Sequence, residues 1–398
     1  MQATDINNNT NRFEMFFNRF KKPFKFIDFL FKIILIVIIL FLLLELFSFF
    51  ASKIYFNKIS KEISVIDEYK SQKWVKQEYL EERQVEKFEY FPYVEYRRIP
   101  NFSGLYVNLD NESIRKTIPD CSNNSKKPLK IFVFGGSTMW GSYSKDNGTI
   151  PSFLSSYLCK NNIYVKAINF GETGYTNTQE LIKLESELRR GNYPDIVIFY
   201  DGANDVFTSY QNNEAGFPQN IEHRKKDFNA RKRLNIKGYI MDSNLMKIIR
   251  RLSGRFFPNK NKEIALKPGL DDDTVKVYLN NARIISALEK EYNFKAFLYW
   301  QPSIFTKDIY SEYEKTIVIV PDPMVSPPKE LYLNITNKIK GKERINDLSN
   351  IFNNKNKTIF IDWCHVTEEG NSIIARSIAD DIVNYLNSIE YFKSYGRK

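Results

Sequence analysis

The sequence predicts a three-layer α/β/α domain with a mainly parallel, five-stranded sheet, preceded by one membrane-spanning helix. Three observations indicate this fold class: short apolar runs of strand-forming residues, glycine-rich or polar turns directly after them, and one long apolar segment near the N-terminus. Of the 398 residues, 43% are hydrophobic and 15% aromatic, which argues against a disordered chain. About 300 residues follow the apolar segment and its linker, enough for one sizeable core.

The apolar segment covers residues 29–50 and has only two charged members, Lys32 and Glu45. As a helix it spans about 33 Å, enough to cross the hydrocarbon core of a bilayer. A cleaved signal peptide is the alternative, but 28 residues precede the apolar run and residues 49–51 make a poor small-x-small cleavage site. We therefore expect an uncleaved anchor that crosses the cell membrane once.

The charges on either side of the segment predict its orientation. Positive side chains are concentrated before it, at Arg12, Arg19, Lys21, Lys22, Lys25 and Lys32, and fewer follow it closely, at Lys53, Lys58 and Lys61. By the positive-inside rule, residues 1–28 form a cytoplasmic tail and the main domain is extracytoplasmic.

Residues 51–98 are rich in Lys, Glu, Tyr and Phe without strand alternation, which indicates a partly helical stalk. Residues 99–398 then form the main domain. Glu45 is a carboxylate inside the predicted span. It either contacts a membrane-protein partner or sits at the interface or in its protonated form, and both interpretations stay open.

Five apolar runs are the predicted strands of the sheet. They cover residues 131–134, 164–168, 196–200, 295–300 and 358–361. Four of them lead into polar or glycine-rich turns, at residues 135–138, 169–174, 202–205 and 362–365. Because the carboxyl ends of parallel strands open on one side of a sheet, residues far apart in the sequence converge there on one crevice.

The turns carry Ser137, Gly171, Gly174, Asn204, Asp362 and His365. In this order they resemble the four blocks of the SGNH hydrolases, the GDSL-type esterase superfamily, over roughly residues 129 to 390. The resemblance implies a flavodoxin-like fold, with Ser137 as the nucleophile, His365 as the base and Asp362 as the group that orients the histidine.

The resemblance also implies an oxyanion hole. Its donors are the backbone N–H of Ser137, the backbone N–H of Gly174 and the side chain of Asn204, with Gly171 as a competing candidate for the glycine. The sequence departs from the family pattern at Gly136, where many relatives have an aspartate. That aspartate is not one of the four named residues, so the change concerns fine positioning and not the chemistry.

The chemistry of acyl transfer explains these residue types. A serine hydroxyl is a weak nucleophile near neutral pH and needs an adjacent imidazole, which in turn needs a carboxylate to fix its tautomer. Attack on an ester creates a tetrahedral oxyanion, and fixed donors stabilise it by on the order of 3 kcal/mol each.

Each residue also has an ordinary structural interpretation. Asn204 fits an Asx-turn, Gly171 and Gly174 fit turn glycines, and Asp362 with His365 fits the start of a last helix over residues 373–387. Asp201 and Asp205 are predicted to stabilise their loop. Independent turns would seldom supply all four blocks in the family's order, and the combination therefore predicts a catalytic site.

The sequence predicts no metal and no cofactor. It has two histidines, and the second, His223, lies among positive residues that oppose cation binding and indicate a solvated loop. The three cysteines are too few for a disulfide scaffold, and whether Cys121 and Cys159 pair is left open. Cys364 is expected to pack away from the site because neighbours on an extended segment point to opposite faces.

An insertion at about residues 207–273 carries much of the net charge of +11. Within residues 222–262, thirteen Lys or Arg outnumber three Asp or Glu. The insertion leaves the third strand beside the crevice, which suits a lid or a substrate-selecting cap. Residues 246–257 have near-helical amphipathic spacing, which fits either a helix on anionic lipid or one packed on its own domain. Nucleic acid is not an expected partner of an extracytoplasmic domain.

These observations predict a membrane-anchored serine esterase that acts on acyl esters, with acetyl favoured, of an extracytoplasmic glycan. Acyl transfer to a glycan hydroxyl uses the same residues and stays open, as does a lipid ester as the substrate. A protein of another class, a non-catalytic assembly or binding protein of a membrane complex, is the remaining alternative. The complete set of Ser137, Asp362 and His365 argues against it.

Overall fold

The computed structural model describes residues 27–51, 74–121, 127–230, 246, 265–319 and 326–390. The long apolar helix belongs to one compact unit and the α/β domain to another. The strands are β1 (Phe88–Phe91), β2 (Glu95–Arg98), β3 (Phe102–Ser103), β4 (Asn108–Leu109), β5 (Leu129–Gly135), β6 (Val165–Asn169), β7 (Ile196–Asp201), β8 (Lys295–Trp300) and β9 (Ile345–Asp347).

Strands β5 to β9 form a five-stranded sheet in the order β6-β5-β7-β8-β9, and every pair is parallel. This confirms the predicted α/β class and the strand number. The central strands are buried on both faces, as in β7, where all six residues are buried. Strands covered on both faces read as continuous apolar runs, which is why the sequence identifies them.

The predicted last strand, residues 358–361, is wrong. Phe360 makes only an isolated bridge with Val366, and the fifth strand is the three-residue β9. The backbone N–H groups of Ile359 and Phe360 instead donate to the buried carboxylate of Glu314, both at 2.9 Å. An apolar segment whose N–H groups donate to a buried side chain has the same composition as a strand, which is why residues 358–361 were misassigned. The strand β9 was missed because three residues are too few to show a strand pattern.

The described helices are α1 (Ile27–Ala51), α2 (Trp74–Val85), α3 (Ser137–Trp140), α4 (Ile150–Lys160), α5 (Asn177–Arg189), α6 (Ala203–Asn212), α7 (Ile221–Ala230), α8 (Leu270–Tyr292), α9 (Glu312–Ile319), α10 (Lys329–Ile339) and α11 (Glu368–Ser388). Within the α/β domain, two groups of helices cover the sheet. Helix α4 packs against α11, while α8 packs against α5, α6 and α10. These contacts agree with the predicted three layers.

Helix α1 has 25 residues and is about 38 Å long, starting two residues before the predicted span and ending one after it. Its length and composition suit a membrane span, and a signal sequence has the same properties. Glu45 lies within this helix. The basic residues that precede it fall in residues 1–26, outside the described residues.

Part of the segment assigned to the stalk is folded onto the α/β domain. Helix α2 places the Glu81 carboxylate where it accepts hydrogen bonds from the N–H groups of Leu105, Tyr106 and Val107, at 3.0, 2.8 and 3.0 Å. Three glutamates of α2 are buried, although in sequence they resemble the exposed face of a solvated helix. The rest of the predicted stalk, residues 52–73, lies outside the described residues.

The described parts of the basic insertion are mainly helical. Residues 207–212 continue α6, and His223 lies in α7 and not in the expected loop. From α7, Arg224 forms an ion pair of 2.7 Å with Glu95 at the start of β2. Residues 247–257, most of the predicted amphipathic stretch, lie outside the described residues.

Candidate active site

Ser137 stands at the carboxyl end of the central strand β5. The strand ends at Gly135, Gly136 caps the next helix, and Ser137 is the first residue of α3. The N–H of a first helical residue has no acceptor within its own helix, so the Ser137 N–H is available to an anion. Only 9% of the Ser137 residue is exposed.

Ser137, His365 and Asp362 form one continuous hydrogen-bonded chain. The Ser137 hydroxyl lies 2.6 Å from Nε2 of His365, and Nδ1 of His365 lies 2.6 Å from Oδ2 of Asp362. The other carboxylate oxygen, Oδ1, accepts the backbone N–H groups of Cys364 and His365 at 2.9 and 2.8 Å. With Nδ1–H donating to the carboxylate, Nε2 is left as the acceptor for the serine proton.

Asp362 and His365 each stabilise the charged form of the other. Burial disfavours the carboxylate of Asp362, but His365 and the two N–H donors outweigh burial and lower its pKa from the usual range. Burial also disfavours the charged imidazole of His365, but the nearby Asp362 outweighs it and raises the histidine pKa well above its ordinary value. This is the electrostatic arrangement of a base that must accept a proton during a reaction.

Asn204 is held against the end of β5. Its side-chain nitrogen donates one hydrogen bond to the carbonyl of Tyr175 at 2.8 Å. An amide nitrogen carries two protons, so this bond fixes the direction of the second one. A Cβ atom at Gly136 would lie 2.1 Å from the same nitrogen, which shows how closely the amide approaches the residue before Ser137. An aspartate at position 136 is therefore incompatible with this placement of Asn204.

The two candidate glycines differ in their hydrogen bonding. Gly171 donates its N–H to the side chain of Asn169 at 3.0 Å. Gly174 has a φ of +75°, which favours glycine, and its N–H has no hydrogen-bond acceptor among the described residues. Of the two, Gly174 has the unused donor.

Asp201 and Asp205 stabilise the loop that carries Asn204 through hydrogen bonds to neighbouring residues. Asp205 accepts the N–H groups of Asn177 and Gly202 at 3.1 and 3.3 Å, and Asp201 accepts the side chain of Asn177 at 2.7 Å. Burial raises the pKa of Asp201 to about 6 and that of Asp205 to about 7. These shifts reduce the negative charge next to Asn204.

Tyr143 lies beside the histidine and was not predicted from the sequence. Its ring meets the His365 ring edge to face, with centroids 5.4 Å apart. Its φ of 63° is unusual for a bulky residue, and its N–H donates to Glu82 of α2 at 3.0 Å. No pattern in the sequence signals a tyrosine in this backbone conformation.

Cys364 differs from the expectation that it packs away from the site. Its sulfur lies 3.7 Å from Nδ1 of His365, on the side of the ring that faces Asp362. The ligand atoms of Asp362, Cys364 and His365 lie within 4.8 Å of one another, the spacing of a metal-binding group. Burial raises the pKa of the Cys364 thiol to about 11, which disfavours the thiolate that metals and nucleophilic attack require.

The chain matches one protein family and is similar to several solved structures. The family model described as GDSL-like lipase/acylhydrolase matches residues 131–378, more than half of the chain. No curated protein matches the sequence. Among solved structures, one similar fold is that of an acetyl xylan esterase, with 16% identity, 64% of this chain and 100% of that chain covered, and a TM-score of 0.36.

Two further solved structures have similar folds. A G-D-S-L family protein from Desulfitobacterium hafniense has 11% identity over 63% of this chain and 98% of its own, with a TM-score of 0.33. A psychrotrophic esterase from Pseudoalteromonas sp. has 12% identity over 65% and 98%, with a TM-score of 0.31. The family-model match includes the positions of both Ser137 and His365. The chain therefore belongs to the GDSL-like lipase/acylhydrolase family and is a hydrolase of ester bonds.

Proposed function

We propose that this hydrolase is a membrane-anchored serine esterase that removes acetyl groups from an extracytoplasmic glycan through an acyl-enzyme. The observation that carries the proposal is the unbroken hydrogen-bonded chain from Asp362 through His365 to Ser137, with both contacts at 2.6 Å. This is the geometry of an activated serine nucleophile.

The reaction follows from these contacts. Nε2 of His365 takes the hydroxyl proton as Oγ of Ser137 attacks the ester carbonyl, and Asp362 stabilises the resulting imidazolium. The proton then passes to the leaving alcohol, which frees the sugar hydroxyl and leaves acyl-Ser137. Water, activated by the neutral His365, attacks that ester and releases the carboxylic acid.

Three donors stabilise the oxyanion in each step. They are the N–H of Ser137, the N–H of Gly174 and the second amide proton of Asn204. Three observations support this assignment. Ser137 is the first residue of its helix, so its N–H has no acceptor within that helix, and the Gly174 N–H has no acceptor among the described residues. The carbonyl of Tyr175 fixes the orientation of the Asn204 amide.

Replacement of Asn204 by Ala is expected to lower kcat about 10²- to 10³-fold, because one donor to the oxyanion is lost. The KM for a small acetate ester changes little, since the donor acts mainly on the transition state. The measurement is steady-state hydrolysis of p-nitrophenyl acetate. Asn212→Ala is the control, because Asn212 lies on the same helix and donates to the carbonyl of Pro218. Equal kcat values for Asn204→Ala and the control would exclude Asn204 from the oxyanion hole.

Two features support an anchored, extracytoplasmic enzyme. Helix α1 is long and apolar enough to span a bilayer, and Cys121 and Cys159 form a disulfide, which persists in oxidising compartments. The excess of Lys and Arg before the helix supports a cytoplasmic N-terminus.

Protease added outside intact cells is expected to digest the α/β domain of the full-length protein. A domain protected from that protease but cleaved after lysis contradicts this topology.

A glycan substrate is supported by a group of partly exposed aromatic side chains, one of which, Tyr143, contacts His365. Trp74, Tyr143 and Tyr313 pack around the buried pair Val75 and Ile361. Aromatic faces are suitable surfaces for the apolar faces of sugar rings. We refer to Trp74, Tyr143 and Tyr313 as the aromatic rim.

Replacement of Trp74 by Ala is expected to raise the KM for acetylated oligosaccharides about three- to tenfold, the effect of losing one aromatic contact. The KM for p-nitrophenyl acetate should stay unchanged, because that ester has no sugar ring to contact Trp74. Tyr193→Ala is the matched control, since Tyr193 is 53% exposed and lies just before β7, at the opposite end of the sheet from Ser137. An equal increase in KM for both esters argues against a sugar contact at Trp74.

Covalent labelling tests the proposed function as a whole. A fluorophosphonate probe is expected to label the full-length, detergent-solubilised protein on Ser137. Folded wild-type protein that resists the probe would favour the non-catalytic binding protein. Product analysis with acetylated sugars, acceptor glycans and phospholipids then separates hydrolysis, acyl transfer and lipid ester cleavage.

A further inference from the structure

The hairpin of β1 and β2 lies outside the segment matched by the family model, yet it contacts the loop that carries Gly174. The hairpin ends at Arg98, and the loop covers residues 170–175, just after β6. Several hydrogen bonds join the two, and most of them are buried. The contacts are therefore built into the domain and do not belong to a loose linker.

Arg98 forms the centre of this contact. Its guanidinium is fully buried and forms an ion pair with Glu172, and its backbone N–H donates to the same carboxylate at 3.0 Å. Its other terminal nitrogen donates to the hydroxyl of Thr173 at 2.7 Å. One side chain thus fixes the two residues that directly precede Gly174. Buried charges are retained only where such pairing compensates for lost hydration.

The same guanidinium also contacts the nucleophile helix. Its central carbon lies 3.7 Å from the centroid of the Trp140 ring, at the end of the short helix that begins with Ser137. Arg98 therefore touches the element that carries the nucleophile and the loop that carries a proposed oxyanion donor. A group with two such contacts fixes the distance between the two elements.

Tyr96 of the hairpin makes the second connection. Its hydroxyl donates to the carbonyl of Thr173 at 2.7 Å, and a Cβ atom at Gly174 would lie 2.8 Å from that hydroxyl. The hydroxyl of Tyr175 donates to the backbone carbonyl of Tyr96, while the carbonyl of Tyr175 accepts the Asn204 amide at 2.8 Å. Two of the three oxyanion donors are thus supported from the hairpin.

We propose that Arg98 and Tyr96 are positioning residues of the esterase, which hold the Gly174 N–H and the Asn204 amide in register with Ser137. The proposal rests on the proposed function, because it assigns these donors to the oxyanion. On this proposal, the β1–β2 hairpin, which precedes the family-matched domain, helps to position the catalytic groups.

Conservative variants of the full-length protein test this role. Tyr96→Phe removes only the hydroxyl, and Glu172→Gln removes the charge but keeps the shape. Each is expected to lower kcat for p-nitrophenyl acetate about tenfold per active site, with KM changed less than twofold. Sites are counted by fluorophosphonate titration, so a loss of folded protein does not count as a loss of kcat.

The same hairpin offers matched controls. Glu89 pairs with Arg97 at 3.2 Å on the exposed side, and Tyr90 is 75% exposed. Glu89→Gln and Tyr90→Phe should therefore retain kcat within twofold. Arg98→Lys keeps the charge but cannot bind Glu172 and Thr173 together, and it should lose more activity than Glu172→Gln.

A boronic acid that forms a tetrahedral adduct with the serine provides a second readout. Its inhibition constant should rise in parallel with the fall in kcat, because both depend on the oxyanion donors. An unchanged kcat per titrated site in Tyr96→Phe and Glu172→Gln would overturn the proposal. Wild-type protein that neither turns over nor labels would instead contradict the proposed function, so the two failures are distinguishable.

Discussion

Replacement of Ser137 by Ala is expected to lower kcat for ester hydrolysis about 10⁶-fold, because no covalent acyl-enzyme can form. The protein should stay folded, since the Ser137 side chain is small and, within the described part of the chain, hydrogen-bonds to His365 alone. The measurement is hydrolysis of p-nitrophenyl acetate, with the thermal melting temperature recorded in parallel. Ser156→Ala, a partly exposed position on α4, is the matched control and should be as active as the wild type.

The double variant of Ser137 and His365 tests whether the two residues act together. The residues of a triad act as a unit, so Ser137→Ala combined with His365→Ala should be no slower than either single variant. Residual activity should reflect substrate binding and the oxyanion donors alone. Additive losses, or a Ser137→Ala enzyme that keeps a tenth of its activity, would mean that another group attacks the ester.

Replacement of Asp362 by Asn is expected to lower kcat about 10⁴-fold, because the amide favours the wrong tautomer of His365. The pH dependence should change as well. Only the neutral imidazole accepts the serine proton, so kcat/KM of the wild type rises with pH through the pKa of His365. Although burial lowers that pKa, Asp362 raises it more, and the midpoint of the wild type lies above 6.5.

In Asp362→Asn the largest source of the upward shift in the His365 pKa is gone and burial remains. The midpoint of the kcat/KM profile should therefore move to lower pH while its plateau falls. Asp380→Asn, an exposed position on α11, is the control and should leave both the plateau and the midpoint unchanged. A profile whose midpoint stays fixed would show that the Asp362 charge does not act on His365.

The sequence was sufficient to predict the features that depend on local pattern. The apolar runs of β5, β6, β7 and β8 and the turns after them follow directly from residue order, and the end of β5 places Ser137 at the common edge of the parallel sheet. His365 reaches Ser137 from a segment that follows no strand of this sheet directly. The disulfide between Cys121 and Cys159 could not be predicted, because spacing alone does not fix a pairing.

Features that depend on distant partners were beyond the sequence. Residues 359–360 have the apolar composition of a strand. Their N–H groups donate instead to Glu314, more than 40 residues earlier, and the local sequence does not show this. The glutamates of α2 resemble a solvated surface because the N–H groups that donate to them lie in another segment, as with Tyr143, whose N–H donates to Glu82. Local composition carries no information about such long-range pairing.

The close contact between Gly136 and Asn204 has a consequence for engineering. A methyl group at position 136 would meet the Asn204 amide at 2.1 Å, and that amide is tethered to the carbonyl of Tyr175. The two positions are therefore one unit of variation, because a side chain introduced at position 136 meets Asn204 unless both are changed together. Designers who wish to restore the family's common aspartate must first relocate the asparagine.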